Sequence, residues 1–368
     1  MQHKKYIMCI MPNAYPCKTG GAEIFEYYLA NELKQYFDIN VLTQCKSLGI
    51  NGISVTTFGN YRIGKITKPL TVLYHIFKTR KSIELLYFSY TRSYWTNWLV
   101  YIICNNLLKI KYAFTIHGGG LSKWSPYVIH KKLFDRATFI TGVSQRIIDE
   151  YTKRSGRQIV YTPPLVPFDV ISQKNKYRSD LGVLKDEVVL LYVGSLKPLK
   201  SVNTLIDALG LITAAKLKEY RLKVLIAGDG ISREYLEAKT KELKVDKFVK
   251  FLGIIPRDKI NQLYNMADIY TICSEFEGLP ISLLEAFANE IPSLTSDAPG
   301  LINMSLNNEN TLLFKTKDHL DYAKKIELLV NDASLREKLS KNSRFYYENN
   351  FSYQSLLSTF TKLIDNVA

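Results

Sequence analysis

An α/β protein of two Rossmann-like domains, each a doubly wound parallel sheet covered by helices, is what this sequence predicts. Three observations predict it. Short β-rich apolar runs alternate with amphipathic helical stretches along almost the whole chain, the pattern of a parallel sheet buried on both faces. The 368 residues exceed one domain of ordinary size and suit two. One proline-rich break, Tyr161–Tyr177 with Pro163-Pro164 and Pro167, interrupts the rhythm, and Pro-Pro continues neither a helix nor a strand.

Tyr6–Met11 reads as a buried strand, and Ala22–Phe37 as a helix with Ile24, Tyr27, Tyr28 and Leu33 on its apolar side. Strands follow at Ile39–Thr43, Ile53–Phe58, Leu85–Ser89, Ala113–His117 and Phe139–Val143. Helices fall between most of them, including Tyr94–Leu108 and Gln145–Arg154, the latter capped by Ser144. After the break come strand Val188–Gly194, helix Val202–Ala214, strand Leu222–Gly228, helix Arg233–Lys244, strand Phe248–Leu252 and helix Asp258–Met266. Strand Asp268–Cys273, helix Leu283–Ala288 and strand Ser293–Thr295 complete the alternation, and Asp318–Val367 reads as helical throughout. The domains are then residues 1–165, completed by a helix at about 352–368, and 166–351.

Composition excludes several classes. Apolar residues make up 46% and charged residues 23%, as in a soluble globular protein. The longest apolar run, Trp98 to Cys104, is far short of a membrane span. The N-terminus shows no signal-peptide pattern. Five scattered cysteines without a CxxC read as reduced thiols in a cytoplasmic protein. The net charge of +15 is unevenly placed. Residues 1–165 hold 22 Lys and Arg against 8 Asp and Glu, whereas residues 166–368 hold 27 against 26. Between Asn40 and Phe134 the only acid is Glu84, against 13 basic residues. Such asymmetry points to an anionic partner: nucleic acid, a membrane surface or a phosphate-bearing substrate.

Chemistry concentrates in a few segments. Glu277-Gly278-Leu279-Pro280 reads as a turn into a helix, with Pro280 near its first position. Free N–H groups at that helix start make an anion site. Glu285, about two turns on, would share a crevice with Glu277 at the C-terminal edge of the sheet. Upstream stand Leu191-Tyr192-Val193-Gly194-Ser195-Leu196-Lys197-Pro198-Leu199-Lys200, then Val224–Gly230 ending in Gly228-Asp229-Gly230, Phe251-Leu252-Gly253 and Ala267-Asp268-Ile269. In the first half, Gly20-Gly21-Ala22-Glu23 follows a strand and opens a helix, His117-Gly118-Gly119-Gly120 ends a strand, and Phe134-Asp135-Arg136-Ala137 leads to Val143-Ser144.

As an ordered set these segments resemble glycosyltransferase family 4, retaining enzymes of the GT-B fold, over nearly the whole chain. The resemblance implies two domains facing across a cleft, an acceptor on the first and a nucleotide-diphosphate sugar on the second. It assigns Lys200 and the backbone around Gly278, Leu279, Pro280 and Ile281 to the diphosphate, with Ser195, Lys197 and Gly228 in the same donor site. It gives Glu285 to the ribose, Glu277 to the sugar hydroxyls, His117 to the reacting sugar, and Gly20, Gly21 and Gly118 to the acceptor side. Catalysis by Lys200, Glu277 and His117 would stabilise the departing diphosphate and an oxocarbenium-like state, without metal or cofactor beyond a UDP- or GDP-sugar substrate. Departures are Ser195 for the usual Arg, Ser201 for a Gly, Thr162-Pro163-Pro164-Leu165 at the linker and Pro299-Gly300 for a Gly pair.

The implied activity is sugar transfer to a glycan or polyprenyl-diphosphate-linked acceptor in cell-surface polysaccharide synthesis. A GT-B sugar-nucleotide epimerase or phosphorylase is the alternative. Rival motifs fail on their own terms. Gly59–Lys65 mimics a phosphate-binding loop, but Ile66 replaces the metal-binding hydroxyl and Pro69 is expected to spoil the helix that should begin there. The His117 loop resembles a lipase oxyanion loop, yet no Gly-x-Ser-x-Gly accompanies it. Gly228-Asp229-Gly230 has Arg233 where a dinucleotide fingerprint needs Gly, and no nucleic-acid motif is present. The basic stretch interleaves aromatics with cations, among them Tyr74, Phe77, Lys78, Arg80 and Lys81. That predicts peripheral attachment to the anionic inner face of the cell membrane.

Overall fold

The computed structural model describes residues 4–11, 14, 17, 21–45, 50–57, 67–90, 108–117, 127–162, 174–278, 280–306, 309–351 and 353–367. Two compact units result: Met1–Leu165 with Tyr353–Ala368, and Val166–Ser352.

Among the described residues the first unit holds seven strands: β1 Tyr6–Met11, β2 Asp38–Thr43, β3 Ser54–Thr57, β4 Leu85–Tyr90, β5 Tyr112–Ile116, β6 Ile140–Gly142 and β7 Val160–Tyr161. Their order is β3-β2-β1-β4-β5-β6-β7, every pair parallel. The central strands β1 and β5 are buried runs because a parallel sheet is covered on both faces. Helices α1 Gly21–Leu33, α2 Thr67–Thr79, α3 Tyr127–Arg136 and α4 Gln145–Ser155 belong to this unit. The Ser144 side chain caps α4 by accepting from Ile147 N–H, and Gly156 closes it at φ 69°.

The last helix returns to this unit. Leu356, Leu357, Phe360, Ile364 and Val367 join Ile7, Phe25 and Tyr87 in one apolar cluster. Phe360 lies 6.4 Å from the Phe25 ring and 6.1 Å from that of Tyr87. Lys5 Nζ donates to the carbonyls of Asp365 (2.9 Å) and Ile364 (3.2 Å), placing a cation where the helix ends.

The second unit has six strands: β8 Val188–Val193, β9 Leu222–Ala227, β10 Val249–Gly253, β11 Ile269–Ile272, β12 Ser293–Ser296 and β13 Leu312–Phe314. Their order is β10-β9-β8-β11-β12-β13. The helices are α5 Lys174–Asp180, α6 Val202–Leu211, α7 Ala214–Glu219, α8 Arg233–Glu242, α9 Arg257–Met266, α10 Ile281–Ala288, α11 His319–Asn331 and α12 Ala333–Asn350. Alternate strand residues feed two cores. Leu190, Tyr192, Val224 and Ile226 meet α6, α8 and α11. Val189, Leu191, Leu225 and Tyr270 meet α9 and α10 on the other face. Buried Arg178 of α5 donates to the carbonyls of Met266 (2.9 Å), Lys185 (3.2 Å) and Glu187 (2.9 Å) and pairs with Asp268. Asp268 also accepts from Val189 N–H at 2.8 Å. Ala267-Asp268 thus pins a helix to the sheet.

Several expectations need correction. The tail is not one helix: α11 and α12 are separated at Asp332, whose side chain accepts from Leu335 N–H, and Tyr353–Asp365 forms a separate α13. The stretch expected as helix Val202–Ala214 ends at Leu211, and α7 starts at Ala214 behind a Thr213 cap. Strands β7 and β13 are too short to stand out in the sequence. The proline-rich break is narrower than Tyr161–Tyr177, since Tyr161 is in a strand and Lys174–Tyr177 in a helix. The five cysteines are not all reduced thiols, because Cys17 and Cys45 form a disulfide. The two are 28 residues apart, and folding brings Cys45, just past β2, against the segment after β1. The expected helix Tyr94–Leu108 and the Gly59–Lys65 segment lie outside the described residues, apart from Leu108. Pro69 does not spoil the helix after that segment: it sits in the first turn of α2, where no intrahelical N–H bond is lost. Among the described residues no helix is long and apolar enough to cross a membrane.

Candidate functional site

In the second sheet β8 and β11 lie side by side while the chain winds away from them in opposite directions. A crevice opens at such a switch point, outside the carboxyl ends of the strands. The loop after β8 and the loop after β11 line it. They are zipped together: Glu275 N–H donates to the Leu199 carbonyl at 3.0 Å, and Cys273 Sγ to the Lys200 carbonyl at 3.4 Å.

Lys200 ends a 3-10 turn, Pro198–Lys200. Its Nζ donates to Glu277 Oε1 at 2.5 Å, and Ser274 Oγ donates to the same oxygen at 2.5 Å. Glu277 is 8% exposed, so its charge is held by these partners rather than by water. Ser201 adopts φ 47°, the left-handed region that favours glycine. The serine offsets that strain through its Oγ, which donates to Glu275 Oε1 at 2.7 Å.

Glycines let three backbone segments meet here. Gly228 has φ 138°, and a Cβ on it would overlap the Gly194 carbonyl oxygen. Gly300, at φ 90°, approaches the Glu277 carbonyl oxygen in the same way. The one glycine retained in Pro299-Gly300 is therefore the one this contact requires. Gly228→Ala is expected to cost at least about 2 kcal/mol, since strain and overlap add. Chemical denaturation checks this, and unchanged stability would contradict the close approach.

Helix α10 begins at Ile281, with Pro280 at its N-cap and not inside the first turn, and no side chain caps it. Its leading N–H groups are available to an anion. A Cβ on Gly278 would touch nothing within 4 Å, so the space before the helix is open there. Leu279 lies outside the described residues. Glu285, expected to face the crevice alongside Glu277, is only 2% exposed. One of its oxygens pairs with Arg257 at the start of α9, and the other accepts from the Tyr264 hydroxyl at 2.7 Å. Burial, then the Glu285 charge, pushes the Tyr264 hydroxyl well above the ordinary tyrosine value. A carboxylate keeps further lone pairs after two such bonds. Arg257, Tyr264 and Ser274 could not be read as partners from the sequence, because these contacts follow no periodicity. Ser195 is half-buried, and exposed Lys197 lines a cavity at the start of α6 without contacting Glu277.

In the first unit His117 directly follows β5. Its ring stands edge-on to Phe25 at 4.9 Å, and Nε2 has no partner among the described residues. Burial pushes its pKa down to about 3, so the imidazole is neutral at physiological pH. The ring is then expected to show no titration between pH 8 and 5 by NMR. The unfolded chain, titrating near 6.5, takes up a proton the folded chain refuses, so stability falls with acidification from about 6.5 toward 3. A His117 midpoint near 6.5 would contradict this. Glu26, missed in the sequence because it sits on the apolar face of α1, is 3% exposed. Burial, then Glu23, holds its carboxyl well above the ordinary value. Gly21 opens α1, while Gly20 and Gly118 lie outside the described residues.

Residues 173–345 match the family described as Glycosyl transferases group 1. An uncharacterised glycosyltransferase of Methanocaldococcus jannaschii is 27% identical over 93% of both chains. A Campylobacter jejuni N,N'-diacetylbacillosaminyl-diphospho-undecaprenol alpha-1,3-N-acetylgalactosaminyltransferase is 30% identical over 55% of this chain and 52% of its own. Among solved structures, Anabaena HepE in complex with UDP and glucose superposes with a TM-score of 0.80, at 18% identity, over 98% of this chain and all of that one. With this fold, this family match and these relatives, the protein is a glycosyltransferase of the GT-B fold.

Proposed function

We propose that the protein moves a sugar, with retention of configuration, from a UDP- or GDP-sugar to a glycan or polyprenyl-diphosphate-linked acceptor in surface-polysaccharide synthesis. The observation that carries this reading is the Lys200–Glu277 pair at the switch point, beside the uncapped start of α10. A diphosphate there meets a cation and free N–H groups, while Glu277 offers acceptor oxygens to sugar hydroxyls. In the reaction the bond from the anomeric carbon to the diphosphate oxygen breaks, and its electron pair leaves with the diphosphate. The acceptor oxygen bonds to that carbon, and its proton passes to the departing diphosphate. Lys200 and the helix start stabilise the charge that develops on the leaving group. Glu285 takes the ribose hydroxyls with its remaining lone pairs. His117, neutral and with Nε2 unpartnered among the described residues, serves with the Gly20-Gly21 loop and Gly118 on the acceptor side. Ser195, Lys197 and Gly228 shape the loop that carries Lys200.

A thermal-shift screen of UDP- and GDP-sugars tests the reading. One sugar nucleotide is expected to raise the melting temperature, and stabilisation by none would count against it.

Lipid-linked acceptors are supported by the name of the Campylobacter relative, which specifies a diphospho-undecaprenol substrate. Membrane attachment is supported by residues in and just after α2. Tyr74 and Phe77 are 60% and 55% exposed, Lys78 and Lys81 are exposed, and the Arg80 guanidinium sits 4.0 Å over the Phe77 ring. Lys109, Lys111, Lys131 and Lys132 add exposed cations. Each cation near an anionic surface contributes about 1 kcal/mol. Reversing Lys78, Arg80 and Lys81 to Glu together is therefore expected to weaken sedimentation with anionic vesicles by about a hundredfold or more. Equal, negligible binding of the native protein to anionic and neutral vesicles would contradict attachment.

A further inference from the structure

A cavity of about 530 Å³ opens in the second unit where α6, α8 and α11 begin. Those helices pack on one face of the sheet, whereas α9 and α10, which carry Arg257 and Glu285, pack on the other. The size suits a small organic ligand. The carboxylates on its wall are already neutralised. Glu275 pairs with Lys317 at 2.8 Å and accepts from Ser201, and Asp207 pairs with Lys239 at 2.7 Å. Uncharged polar groups are left over. Thr204 is 4% exposed, lines the cavity and makes no side-chain hydrogen bond among the described residues. The Asn203 amide, also on the wall, is likewise unengaged among them. Tyr235, 57% exposed, supplies an aromatic ring at the same wall, with Lys239 Nζ 5.7 Å from its centroid.

We propose that this cavity, which borders the donor crevice through the loops after β8 and β11 but opens on the face of the sheet opposite Arg257 and Glu285, binds one or two sugar residues of a glycan. A hydroxyl, an amide able to donate and accept, carboxylates already paired, Lys197 as a further donor and an exposed ring match a polyhydroxylated ligand. The choice of a sugar rests on the glycosyltransferase reading, but the site does not depend on which donor is used. Bound glycan here would hold a growing chain on the enzyme between transfers.

Saturation-transfer NMR on the full-length protein tests this with maltose, N,N'-diacetylchitobiose and inorganic phosphate as probes, with UDP and GDP binding measured in parallel. At least one disaccharide is expected to receive saturation. Thr204→Val and Tyr235→Ala are each expected to weaken it by about five- to tenfold, with nucleotide binding unchanged. Tyr235 is exposed, so its variant stays folded even where the buried Thr204 variant does not. No transfer to either disaccharide, binding of phosphate alone, or disaccharide binding untouched by Tyr235→Ala would overturn the proposal. Absence of UDP and GDP binding would instead count against the donor reading.

Discussion

Lys200→Ala is expected to lower kcat/KM for the sugar nucleotide by about 10²–10³-fold. Removing one donor aimed at developing charge in a low-dielectric site costs this much, and Lys200 carries a full charge. Its Nζ is fixed by Glu277 and its backbone by the Cys273 thiol before any substrate arrives. That placement makes the stabilisation preorganised. The variant should melt below the native protein, because Glu277 loses its cation, but it should stay folded because Ser274 still donates to Glu277. Steady-state kinetics across donor concentrations provide the check. Unchanged turnover at low donor concentration would contradict a role for Lys200 at the diphosphate.

Glu285→Ala is expected to destabilise the second unit by about 3–5 kcal/mol, because it takes the carboxylate away from a buried guanidinium. Side-chain exposure is 10% for Arg257 and 3% for Glu285, so water replaces little of the lost partner. The Tyr264 hydroxyl loses its carboxylate acceptor as well and keeps the Ser282 carbonyl at 3.0 Å. For a unit of this size the melting temperature should fall by about 6–20 °C. Replacing the pair together, Glu285→Leu with Arg257→Met, should recover most of that stability, since apolar residues of similar volume often substitute for a buried ion pair. Nucleotide affinity should stay low in the double variant if Glu285 also holds the ribose. Calorimetry and nucleotide titration separate the two roles. A single variant as stable as the native protein would refute the structural one.

What the sequence makes legible follows from local pattern. Val188–Val193 and Tyr6–Met11 are continuous apolar runs, so their strands and burial can be read directly. Glu277-Gly278-x-Pro280-x4-Glu285 marks the loop and the helix that follow β11. Long-range pairing leaves no such trace. Arg257 is 28 residues from Glu285, and Arg178 is 90 from Asp268. Nothing periodic connects them. Asp332 illustrates a different failure. The residue suits a helix cap, but with apolar spacing continuing on both sides it does not announce a break. Lys197 and Lys200, three positions apart along one turn, end in different places, the first beside the cavity and the second on Glu277, a difference that spacing alone does not reveal.

The most direct test of the central claim is product analysis by NMR. The protein would be incubated with the sugar nucleotide that the screen selects and a polyprenyl-diphosphate-linked glycan acceptor. The expected result is one nucleoside diphosphate released per sugar transferred, with the new glycosidic bond in the anomeric configuration the sugar had in the donor. An inverted bond would contradict retention. Rearrangement of the sugar nucleotide without an acceptor, or release of a sugar phosphate in place of nucleoside diphosphate, would contradict transfer itself.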